Sequence, residues 1–162
     1  SDVAVIPLPD FKQKMVQIGY LARTANLLGI ATPKIACIAP SEQLLPNVIS
    51  STEGALLAKM ADRGQLGNVV VDGPLSLDVA LYKEVAEHKK VKGSSVAGDP
   101  DCLLFPNLES ANVFFKSVSH LCGGELAAMV MGTKVPCVLT SRGDTSKTKL
   151  FSIALACLAV KK

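Results

Sequence analysis

Val69-Val70-Val71-Asp72-Gly73-Pro74 sets three β-branched residues directly ahead of a turn triplet. Such side chains favour the pleated, half-buried surface of a sheet, and Gly and Pro punctuate its end. The reading is a strand over residues 69–71 closed by a turn at 72–74. Working outward, a helix is expected over 52–65 and a strand over 34–39 before it, and a helix over 76–89 after it. Further upstream, Phe11, Met15, Ile18, Ala22 and Ala25 recur at steps of four and three, which is one face of a helix. Gly29 stops that helix in the position of a C-terminal cap, and residues 3–6 read as a strand ahead of it. Downstream, 92–100 is rich in Gly, Ser and Asp and reads as a loop. A strand at 102–105 and a helix over 107–122 follow, the helix with its apolar set at Leu108, Ala111, Phe115, Val118 and Cys122. Strands at 127–131 and 136–139 and a helix over 145–160 complete the chain. Strands alternating with helices through short connections imply a mainly parallel sheet with helices on both faces, a three-layer α/β/α domain.

Composition agrees with that class. Of 162 residues, 49% are apolar and only 4% aromatic, with no Trp, so the core must be built from Ala, Val, Leu and Ile. Charged residues are 19% of the chain and mean hydropathy is +0.35, which favours a surface shared with a partner. The net charge of +3 is spread along the chain. Its densest run, His88-Lys89-Lys90-Val91-Lys92, ends a helix and reads as a solvated last turn that suits the helix dipole. No aromatic residues interleave with it, so nucleic-acid binding is not expected. The cysteines at 37, 102, 122, 137 and 157 lie in apolar runs without CxxC spacing and read as reduced core thiols of a cytoplasmic protein. The longest apolar stretch, 153–160, is too short to span a bilayer, and no signal peptide is seen. His88 and His120 have neither triad nor metal-ligand spacing. No P-loop or GxGxxG occurs.

In open α/β sheets ligands bind beyond the carboxyl ends of the strands, where helix N-termini present free N–H groups. Three polar clusters fall at such ends: Asp72-Gly73-Pro74, Pro106-Asn107 leading to Asn112 and Lys116, and Ser141-Arg142-Gly143-Asp144. Each also has a structural reading: a turn for the first, a solvated helix face for Asn112 and Lys116, a helix cap for Ser141 and Asp144. Arg142 resists one, because a fixed cation at a helix start opposes the dipole unless it binds an anion.

At these same clusters the sequence resembles the phosphate acetyltransferase and butyryltransferase family. The resemblance is carried by Lys59-Met60-Ala61-Asp62-Arg63-Gly64-Gln65, Val71-Asp72-Gly73-Pro74-Leu75, Val96-Ala97-Gly98-Asp99-Pro100-Asp101, Phe105-Pro106-Asn107-Leu108 with Asn112 and Lys116, Lys134-Val135-Pro136, and Thr140-Ser141-Arg142-Gly143-Asp144. The first and last of these look more like butyryltransferases. The family is about twice this length, with two α/β/α domains of isocitrate/isopropylmalate dehydrogenase-like fold and an active site between them. The resemblance therefore implies a fragment equivalent to the C-terminal half, with residues 1–140 as the second domain and 141–162 as a segment that packs on the first.

The resemblance further implies acyl transfer between coenzyme A and phosphate, with no tightly bound cofactor and no metal. It implies Ser141 and Arg142 as catalytic residues, and Asp72, Gly73, Pro74, Asn112, Lys116, Gly132 and Asp144 as the substrate-binding set. The expected partners are coenzyme A or acyl-CoA, phosphate or acyl phosphate, and further copies of the chain in a homo-oligomer. Two positions depart from the pattern. Thr148 stands where acetyltransferases carry an Asp proposed as the base for the thiol, leaving Asp144 as a substitute candidate, and Ala111 stands where relatives have Gly. The competing functional class is a non-catalytic acyl-CoA-binding regulatory domain of the same fold.

Overall fold

The computed structural model describes residues 1–160, which divide into two compact units, Ser1–Asn112 and residues 113–160. The first unit contains α1 (Phe11–Leu27), β1 (Lys34–Ile38), α2 (Ile49–Asp62), β2 (Val70–Leu75), α3 (Leu77–Leu81), α4 (Lys83–His88) and β3 (Cys102–Leu104). The division falls inside α5 (Leu108–His120), and the second unit ends with α6 (Ser146–Leu158).

The three strands form a parallel sheet in the order β2-β1-β3. Alternation along the strands separates two cores. Ile35 and Cys37 of β1, Val71 of β2 and Leu104 of β3 join Ile18 of α1 and Leu57 of α2 on one face. Ala36 of β1 and Leu75 of β2 join Val79, Ala80, Ala86 and Val96 on the other. Both faces are thus covered, as the parallel α/β reading expects.

The ends of α1 follow from its sequence. Asp10 Oδ1 accepts the Gln13 N–H at 2.8 Å while Gln13 Oε1 accepts the Asp10 N–H at 2.8 Å, a reciprocal cap. At the other end Gly29, at φ +92°, lets the N–H groups of Gly29 and Ile30 return to Asn26 and Ala25. Helix α2 stops the same way at Gly64, so it ends at Asp62, earlier than the apolar pattern suggests. The expected single helix over 76–89 is instead two, because Tyr82 adopts an extended conformation between α3 and α4. Lys89 is not a solvated end residue: its ammonium meets Asp78 at 2.9 Å and the Ser76 hydroxyl at 3.3 Å.

Three expected strands do not form. In the 3–6 segment the Asp2 carboxylate takes the N–H groups of Ala4, Val5 and Ile6, leaving the segment bent. The 127–131 and 136–139 segments share one antiparallel bridge, Val130 with Cys137. There Pro136 has no N–H to give, and the Ala128 N–H goes to Ser152 Oγ at 2.9 Å.

The Val96–Asp101 motif is a strap across the sheet end. Val96 is fully buried, the Gly98 N–H bonds the Ala80 carbonyl, Asp99 pairs with Lys34, and Asp101 accepts the Lys34 N–H. In the second unit, buried Ser152 on α6 donates to the Thr148 carbonyl while accepting from Ala128. Leu150, Ile153 and Leu158 of α6 are more than half exposed.

Of the five thiols, only Cys37 is a core thiol. Cys102 is half-buried, and Cys122, Cys137 and Cys157 are exposed. Burial pushes the Cys37 thiol up to about 12 and Cys102 up to about 11, so both hold far less thiolate at neutral pH than an ordinary cysteine. Brief alkylation of the native protein is therefore expected to mark residues 122, 137 and 157 first, with Cys37 reacting only after denaturation. Mass spectrometry of the peptides reads this directly, and early labelling of Cys37 would contradict it.

Candidate functional site

The strand order reverses at the β1/β3 boundary: the chain moves from β1 out to β2, then passes back across β1 to reach β3. In open parallel sheets the crevice beyond the carboxyl ends at such a reversal is where ligands bind. A cleft lies there. It is lined by Cys37 and Ile38 from β1, Leu104 and Phe105 at the end of β3, Glu53 from α2 and Lys14 from α1.

Asp72, Gly73 and Pro74 lie on β2, on the other side of β1 from β3. They do not close the strand. β2 continues through them to Leu75, with one extra residue against β1: Ala36 pairs with Asp72, and Ile38 with Leu75. The Gly73–Pro74 peptide is cis. A Cβ on Gly73 would stand 2.6 Å from Cys37 Cβ, and one on Gly54 would stand 3.3 Å from the same atom. The absence of side chains at Gly54 and Gly73 thus lets α2 lie against β2 beside Cys37. Asp72 Oδ1 accepts the Gly73 N–H at 2.8 Å.

The charged groups of the cleft are Lys14 and Glu53, which form an ion pair. The Lys14 side chain is only 6% exposed and that of Glu53 20%, so these are charges withdrawn from water and held by each other. The Lys14 charge is felt at Cys37. After burial itself, the Asp72 carboxylate raises the thiol further, while the Lys14 ammonium opposes it. Gln17, one turn along α1 from Lys14, is also buried, and neither of its amide atoms has a hydrogen-bond partner among the described residues. Sequence reading missed Lys14 and Glu53. The available signal was a lysine within the apolar face of α1, between Phe11 and Ile18.

The remaining expected site residues are placed as follows. Asn107 Oδ1 accepts the Ser110 N–H at the start of α5, and Asn112 Nδ2 donates to the Val3 carbonyl at 2.8 Å. In the second unit Lys116 is exposed on α5, and Gly132 sits at φ +93° in an exposed turn. Ser141 to Asp144 form a tight loop: the Ser141 N–H donates to Asp144 Oδ2 at 2.7 Å, and the Asp144 N–H donates to the Ser141 carbonyl at 3.1 Å. Arg142 is exposed in this loop, and no ion pair holds it among the described residues. The cap of α6 is Thr145, whose Oγ1 accepts the Thr148 N–H at 3.1 Å. Capping by Ser141 or Asp144 is therefore not needed. No group of three His, Cys, Asp or Glu among the described residues could hold a metal ion, and no helix among them is long and apolar enough to cross a membrane.

The phosphate acetyl/butaryl transferase family model matches residues 1–157. The chain belongs to this family. Phosphate butyryltransferase of Clostridium acetobutylicum is 43% identical over 158 residues, covering 98% of this chain and 52% of that protein. Phosphate acetyltransferase of Thermotoga maritima is 40% identical, with 96% of this chain and 53% of that protein covered. Among solved structures, a branched-chain phosphotransacylase from Enterococcus faecalis V583 superposes with a TM-score of 0.88 at 30% identity, covering 97% of this chain and 56% of that one. The chain spans about half the length of the curated relatives it matches. The family's motifs now have physical positions in the chain: Lys59–Gln65 is the stop of α2, Val96–Asp101 the strap, and Asp72–Pro74 the bulged end of β2.

Proposed function

We propose that this chain forms half of a phosphate acyltransferase that moves a butyryl or acetyl group between coenzyme A and inorganic phosphate. The observation that carries this reading is family membership across residues 1–157, together with 43% identity to phosphate butyryltransferases over nearly the whole chain. Butyryl is the preferred acyl group of the proposal.

The proposed reaction is a direct transfer. The coenzyme A thiolate sulfur attacks the carbonyl carbon of the acyl phosphate, and a C–S bond forms as the carbonyl becomes a tetrahedral oxyanion. Collapse breaks the C–O bond, and phosphate departs with the electron pair. Such a thiol, with an ordinary pKa of about 8.5, must give up its proton first. Thr148 is uncharged and engaged with Thr145, so Asp144, the carboxylate of the loop, is the proposed acceptor. Ser141 is proposed to hydrogen-bond the thiol or carbonyl. The planar fork of Arg142 suits the oxyanion or the leaving phosphate. Asp72, Gly73, Pro74, Asn112, Lys116 and Gly132 are proposed to line this half of the substrate cleft. The acyltransferase as a whole is proposed to be a cytoplasmic homo-oligomer.

Thioester formation from butyryl phosphate and coenzyme A tests the reading. The chain alone is expected to turn over little, because positioning by a complete cleft supplies much of the rate. Joined to the other half of the proposed enzyme, it is expected to reach an ordinary turnover of roughly 1–10³ per second and to prefer butyryl over acetyl phosphate. Coenzyme A binding without turnover in the joined protein would favour the non-catalytic acyl-CoA-binding reading instead.

A further inference from the structure

We infer that Lys89 is a positioning residue of the proposed acyltransferase: its ammonium ties the loop after β1 to the residues that follow β2, and so holds the β2 side of the substrate cleft in place. The inference deepens the functional reading above and rests on it for the reaction.

Lys89 stands at the end of α4, where its backbone N–H returns to the Val85 carbonyl at 2.9 Å. From there the ammonium reaches partners on two other segments. Just beyond β2, Asp78 Oδ2 accepts at 2.9 Å and the Ser76 hydroxyl at 3.3 Å. On the loop after β1, Glu42 Oε2 stands 3.8 Å away. Ser76 Oγ in turn donates to Glu42 Oε2 at 3.4 Å. One cation and one hydroxyl therefore hold together two carboxylates that would otherwise repel each other. Ser76 and Lys89 lower the Asp78 carboxyl to about 2, so its charge is fully present at neutral pH.

Both tied segments lie at the carboxyl ends of strands, where open parallel sheets bind ligands. The Ala39 N–H bonds the Leu75 carbonyl at 2.9 Å, and Leu75 directly follows the Asp72–Pro74 bulge. Glu42 comes three residues after Ala39, and Ser76 is next to Leu75, so the clamp continues the β1–β2 pairing past that bond. The loop is fixed at a second point by fully buried Ser51 of α2, whose Oγ accepts the Leu45 N–H at 2.9 Å and donates to the Gln43 carbonyl at 3.0 Å. Residues 42–45 are thus gripped from both flanks. The Lys89 side chain is 34% exposed and that of Asp78 50%, and ion pairs this exposed add little to folding. What the clamp fixes is the geometry of a loop at the ligand end of the sheet.

The test is the steady-state kinetics of thioester formation from butyryl phosphate and coenzyme A in the joined protein. The clamp carries none of the groups proposed for the chemical step, so it serves substrate and transition state alike, and its loss raises KM more than it lowers kcat. Lys89→Met is expected to raise the KM of one or both substrates about fivefold, the factor an ion pair worth about 1 kcal/mol gives, with kcat within about twofold of wild type. Lys89→Arg, whose fork can span both carboxylates, is expected to keep KM within about twofold. Adding Glu42→Gln to Lys89→Met removes the stranded charge, and its amide can donate to Asp78. That double variant is expected to return KM to within about twofold of wild type, a rescue that a merely structural lysine would not show. Melting temperatures are expected to stay within about 4 °C of wild type. Hydrogen exchange of the 41–45 amides is expected to quicken about fivefold in Lys89→Met and to slow again in the double variant. Unchanged KM in Lys89→Met would overturn the inference, as would a raised KM that Glu42→Gln leaves unrelieved. Failure of Lys89→Met to fold would make the lysine structural and overturn it too. Each of these results leaves the functional reading standing, whereas a joined protein without turnover overturns that reading and the inference together.

Discussion

Arg142→Ala in the proposed acyltransferase is expected to lower kcat by roughly 10²–10³, the effect of losing one oxyanion donor. Arg142 is exposed in the Ser141–Asp144 loop, and among the described residues no carboxylate neutralises it. The loop itself is held by bonds between Ser141 and Asp144, and α6 is capped by Thr145, so neither depends on the guanidinium. Folding stability should therefore change by less than about 0.5 kcal/mol, as for surface substitutions away from structural features. Arg142→Lys is expected to recover only part of the rate, since a point charge lacks the two-pronged contact. A surface arginine without a ligand would leave both variants close to wild type. A kcat within threefold of wild type for the Ala variant would defeat the assignment and remove most of the support for Ser141.

Gly98→Ala should be among the most damaging single substitutions in the first unit, without touching any proposed substrate contact. Gly98 has φ +81°, and a Cβ there would stand 2.5 Å from Lys83 Cα and 2.8 Å from Lys83 N. The obstruction is backbone, which cannot swing aside. A left-handed conformation for a residue with a side chain costs about 1–3 kcal/mol, and forcing extra volume into a packed site costs about 1–3 kcal/mol more. The expected loss is thus about 2–6 kcal/mol, a large part of the roughly 5–15 kcal/mol that holds a domain folded. Chemical denaturation followed by circular dichroism measures it. A loss under about 1 kcal/mol would mean that the strap formed by Val96, Gly98 and Asp99 moves freely from the start of α4.

Legibility differed by element for physical reasons. The long amphipathic helices were readable because burial of one face repeats every three to four residues: Ile18 and Ala25 are buried as the spacing requires. Gly29 was readable as a stop because few other residues tolerate its backbone conformation. The core strands were readable from their apolar runs, although β2 runs on through Asp72-Gly73-Pro74, where local turn chemistry predicted its end. The unformed strands at 3–6, 127–131 and 136–139 had the right composition, but their backbone donors went elsewhere. Asp2 and Ser152 took several, and Pro136 had none to offer. No periodicity reports such a choice, because the competing acceptor can be distant in sequence.

By itself, then, the sequence determined the α/β class, the parallel connection of the core strands, the motif positions and the family. Each of these depends on local side-chain pattern or on motif order along the chain. Only the tertiary structure decided that the sheet has three strands with β1 at its centre, that Gly54 and Gly73 lie against Cys37, and that Lys14 meets Glu53. Lys14 and Glu53 are 39 positions apart, and no local pattern pairs the lysine on the apolar face of α1 with that glutamate. What makes them a buried pair at the mouth of β1 and β3 is the folding of α1 and α2 onto one face of the sheet, which removes both from water and leaves each the other's nearest counter-charge.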